Sequence, residues 1–239
     1  MSMHWKYLAI APSGTHHLAD NHPAYEARFD EVLKFHSPGL APVRDYSGAY
    51  HIKPSGQAHY PQRFVRTFGF YEGRAAVHAE EGWLHIRTSG KLLYTERYAW
   101  CGNFQCGRST CRRFDGLYLH LQSNGNPAYQ TLYNYTGDYR DGIAVVQGEN
   151  GLHTHINLWG ELVHGYWLLD LDVFHKGYAR ARDTQGWHHI DLQGRPIYAH
   201  RFAAVEPFYN GQARVEDFDG SLLVIDQSGM ILVRLRNPL

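Results

Sequence analysis

Histidine is the residue type in this sequence whose spacing most directly suggests chemistry. The 239 residues include 17 histidines. Five of them recur at one repeated position, each five residues before a glycine: His51, His85, His120, His155 and His189. Neutral imidazole binds Fe, Co, Ni, Cu and Zn, and a position repeated along the chain becomes a row or ring in space. We therefore expect this histidine column to bind one divalent transition metal (Fe, Co, Ni, Cu or Zn), with an open position for water, dioxygen or substrate.

A second interpretation of the same column is structural. A buried imidazole needs hydrogen-bond partners for its two nitrogens, and a repeated position receives a repeated partner. In that case each histidine connects packed strands and binds no metal. The sequence alone leaves both interpretations open.

Three arginines are the predicted substrate-binding residues. Arg180 and Arg214 share a column in which other units have smaller residues: Pro42, Ala76, Thr110 and Val145. Arg182 adds a third guanidinium to the same stretch. Guanidinium groups bind anionic or carbonyl-rich ligands through forked hydrogen bonds. We therefore expect a small-molecule substrate near these arginines and oxidation-type chemistry at the metal. Ion pairs with Asp183, Glu206 or Glu216 are the structural alternative.

The three cysteines have the even spacing of a metal or redox cluster. Cys101 and Cys111, however, fall in columns where other units have valine or threonine, and Cys106 lies at a turn. Buried cysteine packs like a small hydrophobic residue. The repeat therefore favours a structural role for Cys101 and Cys111.

The segment from Gly14 to Tyr25 is irregular relative to the repeat and contains His16, His17 and His22. We expect an exposed polar loop here. Because loops often carry function, a cap over the mouth of a central channel is the alternative.

Two glycine columns define the elements that position all these residues. The first column is Gly39, Gly73, Gly107, Gly142, Gly177 and Gly211, and the second is Gly56, Gly90, Gly125, Gly160, Gly194 and Gly229. Each unit of 34–35 residues contains four short segments with period-two alternation, separated by turns, and no segment has a persuasive helical period. We predict an all-β fold, a β-propeller of about six short four-stranded blades. Five or seven blades and an open β-solenoid are the alternatives.

The repeat also predicts the domain organisation. Residues 1–239 are expected to form a single repeat domain, with units beginning near the first glycine column and residues 1–38 completing the ring. Residues 5–14 resemble the second of the four segments of a repeat, and residues 25–35 supply a fourth segment. If the second segment is innermost, the histidines face the channel. The way the ring closes favours instead the first segment, with its small residues, as the innermost strand.

The repeat resembles the WG-repeat family, also called KWG repeats, whose units read roughly Gly-x-Ala-x-Val, then Trp-Gly-Tyr-Ile-Asp and Gly. Residues 177–194 and 211–229 carry the resemblance best, and it extends over residues 25–236. It implies a repetitive β-fold that acts as a binding or scaffold module. This chain departs from the family pattern because histidine replaces the usual tyrosine five times, and tryptophan survives only at Trp83 and Trp187.

Composition excludes several functional classes. The 23 basic and 23 acidic side chains balance, which argues against a nucleic-acid partner or a general electrostatic grip on membranes. No apolar run approaches the roughly 18 residues of a membrane span, and the first ten residues do not resemble a secretory signal. Three cysteines suggest no disulfide framework, so a cytoplasmic location is expected. Motifs typical of nucleotide binding or hydrolysis are missing. A non-catalytic propeller with a protein or peptide partner is the alternative function.

Overall fold

The structure is a computed structural model that describes residues 4–238. The ends of the predicted domain, residues 1–3 and residue 239, lie outside this range. The described residues form a short 3₁₀ turn at Trp5–Tyr7 and 22 strands in seven antiparallel sheets. They divide into two compact units, one ending at Pro127 and the other beginning at Ala128. Within residues 4–238, no helix has both the length and the apolar character needed to cross a membrane.

The first unit contains four three-stranded sheets. Their strands are β1 Ala9–Ile10, β2 His17–Ala19 and β3 His22–Pro23; β4 Glu31–Val32, β5 Ala41–Asp45 and β6 Gly48–Ile52; β7 Arg66–Thr67, β8 Arg74–Ala79 and β9 Gly82–Arg87; and β10 Trp100–Cys101, β11 Arg108–Arg112 and β12 Tyr118–Gln122.

The second unit contains two three-stranded sheets and one four-stranded sheet. Their strands are β13 Tyr135–Thr136, β14 Ile143–Gln147 and β15 His153–Asn157; β16 Asp170–Leu171, β17 Ala179–Asp183 and β18 Gly186–Ile190; and β19 Ala204–Val205, β20 Gln212–Glu216, β21 Leu222–Asp226 and β22 Ile231–Arg236.

Each sheet from β4 onward begins with a two-residue strand, which is the fourth segment of the preceding sequence repeat. That strand pairs with the first segment, which in turn pairs with the second segment, as in the order β7-β8-β9. The first segment is therefore the middle strand of these sheets. The expectation that it forms the innermost strand is wrong, because the fourth segment of the preceding unit pairs along its other edge.

The predicted fourth strand of each blade is present mainly as interrupted pairing along the second segment. In the sheet of β6, residue Ile52 pairs with Ala58 and Ala49 pairs with Phe64, each as an isolated bridge. Between these two bridges the chain leaves the sheet edge and buries Tyr60. Only the sheet that ends with β22 has a continuous fourth strand in the described part of the chain.

With the N-terminal sheet, residues 4–238 contain seven sheets, where about six blades were expected and seven was an alternative. Ala9 pairs with Leu18, and Leu18 pairs with Pro23, which matches the pairing of Ala41, Ile52 and Ala58 in the next unit. Residues 9–10 are thus a first segment and residues 17–19 a second segment. The assignment of residues 5–14 to a second segment is wrong, and the stretch from Gly14 to Tyr25 is a shortened repeat unit that includes two strands.

Both faces of the second segments are buried. One face holds fully buried aliphatic residues: Ile52, Ile86, Leu121, Ile156 and Ile190. The opposite face holds the histidine column, since successive strand residues point to opposite sides of a sheet. Each second-column glycine packs against the tyrosine or histidine that ends the preceding third segment. A Cβ atom at Gly90, for example, would lie 2.5 Å from Tyr60.

Candidate functional site

The histidine column forms a repeated structural contact, which we call the histidine clamp. Its members described in full are His17, His51, His85, His155 and His189, and each is essentially inaccessible to solvent. In four of them Nδ1 bonds a tyrosine hydroxyl of the third segment: His17 with Tyr25 at 2.5 Å, His85 with Tyr94 at 2.6 Å, His189 with Tyr198 at 2.6 Å, and His51 with Tyr60. In the fifth, His155 Nδ1 lies 2.9 Å from His164 Nε2.

The second ring nitrogen of each clamp histidine bonds a backbone carbonyl at the start of the next sheet. The Nε2–O distances are 2.9 Å from His17 to Leu33, 2.8 Å from His51 to Phe68, 2.8 Å from His85 to Gly102, 2.8 Å from His155 to Asp172, and 2.8 Å from His189 to Glu206. A carbonyl oxygen only accepts, so Nε2 carries the proton and Nδ1 is the acceptor. Each clamp therefore connects one sheet to the sheet that follows it.

The clamp formed by two histidines, His155 and His164, has the same pattern of donors and acceptors. His155 Nδ1 accepts, so His164 Nε2 must donate, which leaves His164 Nδ1 as an acceptor. The backbone N–H of Tyr166 donates to that atom at 3.3 Å. Every ring nitrogen of this pair is therefore satisfied, and histidine replaces the column tyrosine without leaving an unpaired buried group.

A phenylalanine ring completes each clamp. The ring centroids lie 4.4 Å apart for His51 and Phe70, 4.7 Å for His85 and Phe104, 4.2 Å for His155 and Phe174, and 4.2 Å for His189 and Phe208. Burial in this apolar surrounding disfavours the charged imidazolium. Desolvation lowers the pKa of His51 to about 3 and that of His85, His155 and His189 to about 4.

These contacts bear on the predicted five-histidine metal site. His51, His85, His120, His155 and His189 lie in five different sheets. Within residues 4–238, the group of three or more potential ligands that lie close together contains only one of them, beside two cysteines. His120 is fully buried in β12 and opposite Thr110. A metal shared by the whole column stays a prediction, and it would have to replace the hydrogen bond at Nδ1 of four column histidines: His51, His85, His155 and His189.

His17 is a clamp residue that the sequence interpretation missed. It was expected in an exposed loop, whereas it lies in β2 and is fully buried. The other clamps place their partner nine residues after the histidine, but Tyr25 follows His17 by eight. The shortened spacing hid this unit from a fixed-period alignment. The constant nine-residue separation elsewhere was a visible signal for the histidine–tyrosine pairing.

Cys101 and Cys111 face each other across β10 and β11 as direct register partners. Both are buried, and the Cys111 thiol donates to the Cys101 sulfur with the two Sγ atoms 3.1 Å apart. One nitrogen of His85 and the two sulfurs all lie within 4.8 Å of one another. Cys106 lies at a turn, as expected, and it is exposed. The sequence placed both buried cysteines correctly in packing positions, but it did not show that their sulfurs face each other beside a column histidine.

The predicted substrate arginines are engaged in ion pairs or exposed. Arg180 Nε lies 2.5 Å from Asp172 Oδ2, and its Nη1 donates to the Val205 carbonyl at 3.1 Å. Arg214 forms the corresponding ion pair with Glu206 in the next sequence repeat. Arg180 borders a pocket of about 300 Å³ within the second unit, whereas Arg182 is exposed on β17. Ion pairing of Arg214 with Glu206 was the structural alternative, and substrate binding by the three arginines stays a prediction.

β22 is an outer strand in which all six residues are exposed. Four of them are apolar: Ile231, Leu232, Val233 and Leu235 have exposed fractions of 53%, 41%, 50% and 54%. Val233 pairs with Val224, which occupies the column position of the clamp histidines. This sheet therefore replaces the histidine–tyrosine contact by an aliphatic pair, and its outer strand is not interrupted.

Comparison with known proteins supports the repeat and the fold. The family model described as "WG containing repeat" matches residues 190–220, which confirms the predicted resemblance over that stretch. No curated protein matches the sequence. A crystal structure of the eukaryotic initiation factor has a TM-score of 0.55 and 8% identity, covering 92% of this chain and 68% of that chain. BamB from Moraxella catarrhalis has a TM-score of 0.50 and 12% identity, covering 97% and 82%.

At these identities the two structures establish the fold alone. The structural neighbours include β-propellers such as BamB, so the all-β, propeller-type architecture expected from the repeat is confirmed. The chain thus has a propeller-type all-β fold, and residues 190–220 match a WG-containing repeat.

Proposed function

We propose that this protein is a non-catalytic scaffold that binds another polypeptide through β22. The observation that carries the proposal is that four apolar side chains of one outer strand are exposed. Exposed apolar side chains grouped on one strand are typical of interaction sites. Fully burying one such side chain contributes roughly 1.5–3 kcal/mol, so covering four half-exposed ones contributes on the order of 4 kcal/mol before the costs of association.

The mode of docking follows from the shape of the strand. β22 pairs with β21 with register shifts between Leu222 and Leu223 and between Val224 and Ile225. Irregular pairing twists an edge strand and hinders the addition of a further strand. The partner is therefore expected to cover the side chains of β22 and not to extend its hydrogen-bond ladder.

Charge indicates the chemistry of the partner. Residues 230–238 include Arg234 and Arg236 and no acidic residue. Arg236 pairs with Glu216 at 3.1 Å, whereas Arg234 bonds the neutral hydroxyl of Ser221 at 2.7 Å. Among residues 4–238, Arg234 has no carboxylate in direct contact, and the nearest acidic partner that it influences is Asp219, whose pKa lies below its usual range first because Ser221 donates hydrogen bonds to it and then because of the Arg234 charge. A polypeptide segment with apolar residues and a nearby carboxylate matches this surface.

The test uses a displayed library of random twelve-residue peptides on the purified chain. Enriched peptides should be apolar and acidic, and Val233→Lys should weaken their binding at least tenfold. The matched control is Leu162→Lys, which changes a comparably exposed leucine (48%) in another sheet and should leave affinity unchanged. Equal binding by both variants would remove β22 as the docking surface. Light scattering that shows a wild-type dimer and a monomeric Val233→Lys variant would identify a second copy of the chain as the occupant instead.

A further inference from the structure

The cysteine pair in the sheet β10-β11-β12 sets one clamp apart from the others. Opposing residues at this register position are Val32 and Val43, Thr67 and Val77, Thr136 and Val146, Leu171 and Ala181, and Val205 and Val215 in the other sheets from β4 onward. Here both partners are cysteine, and both lie beside the clamp of His85 and Tyr94. Two sulfur ligands and an imidazole therefore meet at a point that is purely apolar or hydroxylic elsewhere.

The clamp already holds His85 in the orientation that a metal ligand requires. Its Nε2–H donates to the Gly102 carbonyl at 2.8 Å, so Nδ1, which accepts from the Tyr94 hydroxyl in the metal-free site, is the atom that a metal would bind in place of that hydrogen bond. Metal-bound histidines commonly donate their other ring N–H to a carbonyl or carboxylate in this way. Tyr94 Oη lies 2.6 Å from Nδ1 and 3.8 Å from Cys101 Sγ, so an oxygen donor is also within reach of the group.

The charges of the group select the class of metal. Binding of a divalent ion releases two thiol protons and gives two thiolates, one neutral imidazole and one dication, with zero net charge. A neutral complex avoids the high cost of placing net charge in a buried position. A monovalent ion would leave the same site with a negative charge. Thiolate and imidazole together are typical ligands of zinc, and of cobalt as its substitute.

We propose that Cys101, Cys111 and His85 form a buried structural site for one divalent zinc-type metal ion, with the Tyr94 hydroxyl as the additional oxygen donor. This site is independent of the proposed docking on β22, which lies in the other compact unit. Its role is to cross-link β10 and β11 to the second segment of the preceding sheet, β9, because His85 lies on β9 and the cysteines on β10 and β11. No electron transfer is involved.

The test is metal incorporation during folding in cells, because the ligands are buried. The chain, without a histidine tag, is produced in medium supplemented with Co²⁺ and analysed by elemental mass spectrometry and absorption spectroscopy. We expect about one Co²⁺ per chain with thiolate-to-cobalt charge-transfer absorption. That absorption distinguishes the site from cobalt bound by surface histidines alone.

The chain provides matched variants for this experiment. Cys101→Thr with Cys111→Val copies Thr67 and Val77 of the preceding sheet, and it should lose at least nine-tenths of the metal and all charge-transfer absorption. Cys106→Ser, at the exposed cysteine, should retain both. Metal-free wild-type protein, or equal cobalt and identical spectra in the double variant, would overturn the site. If the double variant does not fold, Cys101→Thr alone gives the same comparison.

Discussion

Acidification should unfold this protein through its clamp histidines. In the folded chain, burial lowers the pKa of His51 to about 3 and that of His85, His155 and His189 to about 4. In the unfolded chain an exposed histidine titrates near 6.5, about 2.5 to 3.5 pKa units above these folded-state values. As the pH falls through 6.5, these histidines bind protons in the unfolded state but not in the folded state. The stabilising contribution of each clamp is therefore present above about pH 6.5 and lost progressively down to about pH 4.

The magnitude follows from linkage. Between pH 8 and pH 5, an unfolded-state pKa of about 6.5 and a folded-state pKa of about 4 or below give a loss of about 2 kcal/mol per histidine. The four histidines together give on the order of 8 kcal/mol, which is comparable with the whole stability of a typical domain. Burial also lowers the pKa of His17, which adds to the loss. Ion-paired carboxylates contribute in the same direction but at lower pH, since the pKa of Asp183 lies below its usual range.

Urea denaturation followed by tryptophan fluorescence at pH 8 and pH 5 tests this reasoning. His51→Gln keeps an amide donor and acceptor for Phe68 and Tyr60 but removes the titration, so its free energy of unfolding should fall about 2 kcal/mol less than that of the wild type. His22→Gln, at an exposed histidine, should behave like the wild type. Free energies of unfolding that agree within about 1 kcal/mol between the two pH values in the wild type would refute the assignment of buried, neutral clamps.

Three further predictions concern the clamp and the glycine against which it packs. Gly90→Ala should lower the free energy of unfolding by about 3 kcal/mol, because the new Cβ would lie 2.5 Å from Tyr60. The control Gly73→Ala should lower it by only about 1 kcal/mol, since its positive φ is the only source of strain. Equal losses of stability in the two variants would contradict the packing of Gly90 against Tyr60. Tyr60→Phe should cost about 1–3 kcal/mol by leaving a buried acceptor unpaired, measured by urea denaturation. His164→Tyr should be neutral or stabilising at pH 6, because it restores the usual partner, and a large drop in melting temperature would contradict the equivalence of the clamps.

Much of the fold followed from periodicity. The two glycine columns predicted an all-β repeat and the segment boundaries, because each glycine marks a tight turn or a close approach between units. The interrupted outer strand was not predictable in the same way, since its pairing depends on whether a tyrosine leaves the edge to reach a histidine. The seventh sheet was hidden because its histidine and tyrosine, His17 and Tyr25, are one residue closer than in other units.

The candidate sites were predictable to a lesser degree. The sequence identified the histidine column and both of its interpretations, but side-chain partners depend on which carbonyl the next sheet presents. For His85 this is Gly102, seventeen residues later. Whether Cys101 and Cys111 lie opposite each other depends on the strand register, and their ten-residue separation in the sequence does not determine that register. The exposure of β22 likewise follows from packing that the sequence pattern does not encode.

The central claim is that the clamp histidines are neutral structural groups with the proton on Nε2. The most direct measurement is ¹⁵N NMR of the imidazole nitrogens of His17, His51, His85, His155 and His189 during a pH titration. We predict Nε2–H tautomers whose signals do not change between pH 8 and pH 5.5 while the chain remains folded. Titration of these histidines near pH 6.5, or protons on Nδ1, would contradict the account.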